Sequence, residues 1–237
     1  MKHFIGTSFN KIALALAAAA AVSISPLAHA GPDAGATKET PKEIAVIKTN
    51  KADEKEWSIE VGSGAQFSNI RSSRLDNYSL VPAFLTASFK VDDVSLDNVL
   101  GGVFRGYTEF LFQGSGYAIT SGRESELLGA NFGPRYNFVQ PGWKVVPYAE
   151  GLVGFYFADS DQQIIPTSNS TIRHGLGQDF NFTFGVALGV RYDFNEDWFT
   201  RLGAVYTHVS NAGLSEPQFE NRAIDAFGPE VSVGRRF

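Results

Sequence analysis

Apolar and polar residues alternate along most of the chain after residue 56. The longest run covers residues 180–194, where a large apolar residue, often Phe, occupies every second position and small or polar residues lie between. A period of two predicts a β-strand with one apolar face. This stretch is about twice as long as a usual strand of a soluble protein, and aromatic residues stand at both ends. Both properties indicate a strand that faces lipid.

Seven other stretches show the same pattern less regularly, so the sequence predicts eight strands. Short connections at about 139–143 and 195–197 contrast with long ones at about 159–176 and 211–224, as in barrels with periplasmic turns and longer extracellular loops. The connection at about 91–101 is longer than this rule predicts. The fold class is therefore an all-β, eight-stranded antiparallel transmembrane β-barrel of the bacterial outer membrane. The other predicted strands are roughly 57–67, 78–90, 102–119, 126–138, 144–158, 198–210 and 225–237.

The chain divides into three parts. Residues 1–30 have a basic start, an apolar core too short to span a membrane and a small-residue cleavage motif at Ala28-His29-Ala30, which predicts a signal peptide. Residues 31–56 are rich in Ala, Pro, Thr, Lys and Glu and predict a flexible periplasmic tail. Residues 57–237 form the predicted barrel. The terminal Phe237 on an alternating strand resembles the insertion signal of outer-membrane barrels.

Composition restricts the partners. The formal charge is −5, and it becomes −7 once the two lysines of the predicted signal peptide are removed, which argues against nucleic acid as a partner. The chain has no cysteine, so disulfides and thiolate metal sites are excluded. An aromatic content of 13 % with 24 glycines and near-neutral hydropathy fits a membrane barrel.

Candidate chemistry lies where the last two strands meet. His208 and Ser210 are two residues apart, so on a strand they share a face about 7 Å apart and can act as base and nucleophile. If the strands form a hairpin, Asp225 returns beside His208 and supplies a carboxylate that orients the imidazole. By parity all three lie on the lipid-facing side at the extracellular end. On spacing alone, polar strand ends above the apolar band are the preferred interpretation.

A family resemblance changes that preference. The segment His208-x-Ser210-Asn211-Ala212-Gly213, Pro217 and then Asn221-x-x-x-Asp225 before an apolar last strand resembles the lipid A 3-O-deacylases, which are eight-stranded outer-membrane barrels with a lipid-facing His-Ser-acid triad. The family carries Asn-x-Gly-x-acid, usually with Glu as the acid. Here Ala223 replaces the Gly and Asp225 replaces the Glu, so Glu220 remains a second candidate for the acid.

The resemblance implies a hydrolase that releases the ester-linked 3-position hydroxyacyl chain of lipid A from lipopolysaccharide. Ser210 is the expected nucleophile, His208 the base and Asp225 the acid. The expected oxyanion and substrate-positioning residues are Asn211, Ala212, Gly213 and Asn221. No cofactor or metal is expected, and His174 is interpreted as a solvated loop residue.

Substrate binding and alternative functions complete the expectations. The outer-leaflet lipid A and the membrane are the expected partners, and the oligomeric state stays open, with a homodimer as one form. Arginines in extracellular loops are either phosphate ligands or solvated charges. The alternatives are a non-enzymatic barrel (structural protein, adhesin or pore) and an acyltransferase or phospholipase barrel, which the His-x-Ser-Asn motif disfavours. The arginines are Arg71, Arg74, Arg123, Arg173 and Arg222.

Overall fold

The computed structural model describes residues 51–68, 77–97, 99–160, 175–216 and 221–237, and eight long strands account for most of them. Two short 3-10 turns, Lys51–Glu54 and Val99–Gly102, are also present. No helix within the described ranges is long and apolar enough to cross a bilayer. The first strand, β1, covers Trp57–Gly64 and continues after a break at Ala65 as Gln66–Phe67; the others are β2 (Ser79–Lys90), β3 (Gly106–Ser121), β4 (Glu126–Phe138), β5 (Val145–Ala158), β6 (Phe180–Asp193), β7 (Trp198–Ser210) and β8 (Ile224–Arg236).

The strands close into a barrel. Each strand pairs antiparallel with the next, and β8 pairs with β1 from Ser58↔Arg236 to Gly64↔Glu230, which leaves no free sheet edge. Side chains that point outward form an exposed apolar belt, as in a membrane-spanning barrel. The predicted fold class and the outer-membrane location are therefore confirmed. The belt includes Trp57, Leu85, Phe112, Leu128, Val153, Leu188, Leu202 and Val231.

Buried ion pairs fill the interior in the half of the barrel opposite His208. Arg135 lies 2.7 Å from carboxylate oxygens of both Glu60 and Glu150. Arg201 lies 3.3 Å from Glu60 and 3.1 Å from Glu109. Because each charge has an opposite charge within contact distance, removing any one of them would leave a buried charge uncompensated.

The residues just before β1 close one mouth of the barrel. In the turn Lys51–Glu54, Asp53 is buried and its Oδ1 accepts a hydrogen bond from Arg191 Nη2 at 2.7 Å. Arg191 also donates to Asp193 at 2.9 and 3.0 Å. The last part of the predicted tail therefore contacts the interior. The signal peptide and residues 31–50 lie outside the described residues, so these boundaries stay predictions.

An apolar cluster fills the interior at the opposite mouth. Val209 of β7 and Ile224 of β8 point into it, and Leu176 contributes from the loop that precedes β6. Because Val209 lies between His208 and Ser210, its burial turns those two neighbours to the outer face of the wall. The other members are Tyr78, Leu80, Tyr117, Leu127, Tyr156, Ala158 and Ala226.

One strand starts later than predicted. β3 begins at Gly106 instead of about residue 102, because the chain turns at Leu100, Gly101 and Gly102, which all have positive φ. Such φ values cannot continue a strand. The connection between β2 and β3 therefore runs from 91 to 105, with residue 98 outside the described ranges.

Candidate active site

The register of the last hairpin brings the predicted base and acid together. His208 lies directly opposite Asp225 in the β7–β8 ladder. Its Nδ1 contacts Asp225 Oδ1. The His208 side chain is fully buried, whereas the Asp225 side chain is 37 % exposed on the outer surface. A carboxylate held on Nδ1 fixes the tautomer in which Nδ1 carries the proton and Nε2 can accept one, and it stabilises the imidazolium.

Ser210 lies two residues after His208 on the same outward face and forms its own set of contacts. Its Oγ accepts a hydrogen bond from the Ala212 backbone N–H at 3.0 Å and from Asn221 Nδ2 at 3.3 Å. Ala212 has a φ of 56°, a conformation that L side chains adopt at a cost of about 1 kcal/mol or more. The strained turn directs an N–H group at the serine oxygen, next to the position where the oxyanion of a substrate carbonyl would form during acyl transfer.

Two other predicted positioning residues hold the loop instead of facing the serine. Asn211 is fully buried, and its Nδ2 donates to the Leu176 carbonyl and to Ser215 Oγ, both at 2.8 Å. Its Oδ1 accepts from the Gly213 N–H at 2.8 Å. The side chain of Asn211 and the N–H of Gly213 are therefore occupied, and the geometry favours Ala212 and Asn221 as the donors to an oxyanion.

The loop before β6 ties the site to the rest of the extracellular end. The Gly175 carbonyl accepts from the Arg222 N–H at 3.1 Å, and the Leu176 N–H donates to Glu124 Oε1 at 3.1 Å. Tyr78 donates its hydroxyl to Glu124 Oε2 at 2.5 Å. Burial raises the pKa of Glu124 to about 7, against the opposing effect of these hydrogen bonds. Glu124 and Leu176 are 52 residues apart in the chain, and no pattern in the sequence predicted their contact.

Tyr206 is a site residue that the sequence pattern assigned only to the lipid-facing surface. Its hydroxyl donates to Asp225 Oδ1 at 2.5 Å, the same oxygen that contacts His208. Its ring is nearly parallel to the imidazole, with the centroids 6.4 Å apart and an angle of 18°. Its position, two residues before His208 on the same face of β7, is the feature of the sequence that could have indicated a place in the site.

Several expected residues cannot be placed. Glu220, Arg173, His174, Arg71 and Arg74 lie outside the described residues. Of the other two arginines, Arg123 lies in the β3–β4 connection and Arg222 next to Asn221. In the part of the chain that the structure describes, no group of three His, Cys, Asp or Glu side chains is arranged to hold a metal ion.

Comparisons with known proteins identify a family. Residues 93–233, more than half of the chain, match the family model described as lipid A 3-O-deacylase (PagL). The match includes β3 to β7 and all of the candidate site residues. No curated protein matches the chain.

Three solved barrels are similar at low identity. The outer membrane enzyme PagL is 16 % identical with a TM-score of 0.45, and the match covers 74 % of this chain and 97 % of that one. Neisserial surface protein A (NspA) is 16 % identical with a TM-score of 0.48, covering 76 % and 95 %. The N-terminal β-barrel domain of Pseudomonas aeruginosa OprF is 15 % identical with a TM-score of 0.42, covering 76 % and 97 %.

Proposed function

We propose that this protein, which belongs to the lipid A 3-O-deacylase family, hydrolyses the ester that links a hydroxyacyl chain to the 3-position of lipid A in the outer leaflet. The observation that carries the proposal is the contact of His208 with Asp225 on the outward face of the barrel, two residues before a serine whose oxygen already accepts two hydrogen bonds. A soluble substrate would not require these residues on the lipid-facing wall.

The proposed reaction has two steps. In the first, Ser210 Oγ attacks the ester carbonyl, His208 takes the hydroxyl proton, and collapse of the tetrahedral intermediate returns that proton to the 3-oxygen of the sugar as it leaves. In the second, His208 deprotonates a water that attacks the acyl-serine, and Ser210 recovers its proton. The products are a free hydroxy fatty acid and lipid A with a 3-hydroxyl group.

The Ala212 N–H and Asn221 Nδ2 supply the oxyanion donors in this proposal. Both already lie within 3.3 Å of the serine oxygen, and a carbonyl under attack brings its oxygen close to the same position. One such donor commonly contributes about 3 kcal/mol to the stability of the transition state. Asn211 contributes indirectly, because its bonds to Leu176 and Ser215 fix the turn that orients the Ala212 N–H.

The wall beside the site is suited to acyl chains. Phe184 lies directly opposite His208, and Phe182 lies directly opposite Ser210, on the neighbouring strand β6. With Phe155, Phe180 and other side chains they line a shallow outward-facing apolar groove. A lipid whose acyl chains lie in the bilayer would meet this groove and the catalytic residues from the same side.

The test compares lipid A from cells that produce the wild-type protein, Ser210→Ala or Ser121→Ala. Ser121 also lies at the extracellular end of a strand, but on β3, across the barrel from β7. Mass spectrometry should show the loss of one hydroxyacyl group with the wild type and with Ser121→Ala, and no loss with Ser210→Ala. The same proteins are also assayed in detergent with purified lipid A, so that inhibition in the native membrane is not mistaken for inactivity.

Two outcomes would contradict the proposal. Activity of Ser210→Ala in detergent would exclude Ser210 as the nucleophile. Inactivity of the folded wild type in both assays would favour a non-enzymatic barrel.

A pore is disfavoured already, because ion pairs of Arg135 and Arg201 occupy the interior, and planar-bilayer recordings should show no conductance.

A further inference from the structure

The connection between β2 and β3 is the feature that neither the fold class nor the proposed reaction explains. It runs from 91 to 105 at the end of the barrel opposite His208, where the other connections are short turns. Its segment Val99–Phe104, here called the apolar loop tip, has no charged residue. Leu100 is 75 % exposed and Val103 65 %, and Val99 and Phe104 are also exposed. Four exposed apolar residues within six positions are unusual for a loop in water.

The carboxylates of the same connection form hydrogen bonds and ion pairs at its base, away from the apolar loop tip. Asp92 accepts hydrogen bonds from the backbone and hydroxyl of Thr108 at 2.5 and 3.0 Å. Asp93 pairs with Lys90 at 2.7 Å, and Asp97 pairs with Arg105 at 2.6 Å. Each of these three carboxylates is therefore bound to β2, to β3 or to the residue just before β3. The loop is consequently divided into a paired polar base and an apolar tip.

The backbone holds the tip in a defined position. Leu100, Gly101 and Gly102 all have positive φ, which is an unfavourable conformation for the leucine. The Gly102 carbonyl accepts from Gln140 Nε2 at 2.7 Å and from the Arg105 N–H at 3.0 Å. These two hydrogen bonds therefore fix the turn that carries the exposed side chains.

The tip is continuous with the lipid-facing surface. The ring of Phe104 lies 6.5 Å from that of Phe138, and Tyr136 donates its hydroxyl to the Phe104 carbonyl at 2.6 Å. Tyr136 and Phe138 continue the outward face of β4 that Leu128 and Phe132 begin. At this end of the barrel they belong to an aromatic girdle of the kind that marks a membrane interface. The girdle also includes Trp57, Trp143, Trp198 and Phe237.

From these contacts we infer that the apolar loop tip inserts into the periplasmic leaflet of the outer membrane, with phospholipid acyl chains as its occupant. The barrel end opposite His208 fixes the leaflet. Continuity of Phe104 with the girdle selects lipid over a soluble partner, because a partner in the periplasm would have to cover lipid-facing Phe138 as well. The loop thus acts as a second membrane contact beside the barrel wall, comparable to an interfacial anchor.

The experiment uses spin labels, because the chain has no cysteine of its own. A nitroxide is attached to Leu100→Cys, Glu196→Cys or Leu202→Cys in the full barrel, reconstituted in nanodiscs of phosphatidylethanolamine and phosphatidylglycerol. Glu196 is an exposed residue of the β6–β7 turn at the same end, and Leu202 is an exposed residue of the lipid-facing wall. Collision rates with oxygen, which concentrates in lipid, and with a water-soluble nickel chelate then report the depth of each label.

The inference predicts that the label at 100 resembles the label at 202, with nickel accessibility several-fold below that of the label at 196. Nickel accessibility at 100 equal to that at 196 would overturn it and would leave a periplasmic protein as the occupant. Dipolar broadening between labels at 100 would also overturn it, since that would indicate a second copy of the chain. None of these outcomes depends on catalytic activity.

Discussion

Replacement of Asp225 by Asn tests the identity of the acid. In the structure the carboxylate contacts Nδ1 of His208, which favours the tautomer in which Nδ1 carries the proton and Nε2 can accept one. An asparagine at this position can donate its amide N–H to Nδ1, which moves the imidazole proton to Nε2 and blocks proton transfer from Ser210. It also removes the negative charge that stabilises the imidazolium.

The expected loss follows from that geometry. The same change in a serine protease triad lowers kcat about 10⁴-fold, and we expect about 10³- to 10⁴-fold here, or roughly 4 to 5.5 kcal/mol. The lower end is favoured because the Asp225 side chain is 37 % exposed and water can compete for Nδ1. Asp225→Glu keeps the charge and should retain more activity than Asp225→Asn.

The assay is the release of hydroxy fatty acid from lipid A in mixed micelles, with folding checked by the heat-dependent shift on denaturing gels. Glu220→Gln is the matched control, because Glu220 was the other candidate for the acid from sequence. Near-normal kcat for Asp225→Asn together with a large loss for Glu220→Gln would refute the reasoning and assign the acid to Glu220.

Three more variants test other parts of the structure. Tyr206→Phe removes one hydrogen bond to Asp225 and should lower kcat about fivefold, or near 1 kcal/mol, because water can replace the lost hydroxyl. The pH–rate profile should also change. An unchanged profile would mean that Tyr206 contributes only to the lipid-facing surface. The pKa of Glu124 is raised from 4.5 to about 7, so the folded state binds more protons than the unfolded state between these values, and stability should fall as pH rises through this range. Urea unfolding at pH 5 and pH 8 should show this fall in the wild type and a smaller one in Glu124→Gln, and equal falls would exclude Glu124 as its source. Arg191→Leu removes the ion pair with the buried Asp53 and should cost about 3 kcal/mol. The exposed, outward-facing Arg235→Leu should cost little in the same urea assay.

The sequence alone determined the strands and their faces. Alternation is a local property, since successive side chains of a strand point to opposite sides, and the unbroken run at 180–194 agrees with β6 at Phe180–Asp193. The same parity predicted that His208 and Ser210 share a face with lipid-exposed Leu202, as the structure shows. The catalytic roles assigned to these residues stay predictions until the variants are measured.

Only the tertiary structure decided which groups meet across the chain. Sequence offered Asp225 and Glu220 as acids, and the β7–β8 register brings Asp225 to His208. It offered Asn211 and Asn221 as equal helpers, yet a contact with Leu176 buries Asn211 and leaves Asn221 on the serine. Such contacts depend on how separate strands and loops close around one barrel. Alternation fixes the direction of a side chain, but it does not fix the partner that the side chain meets.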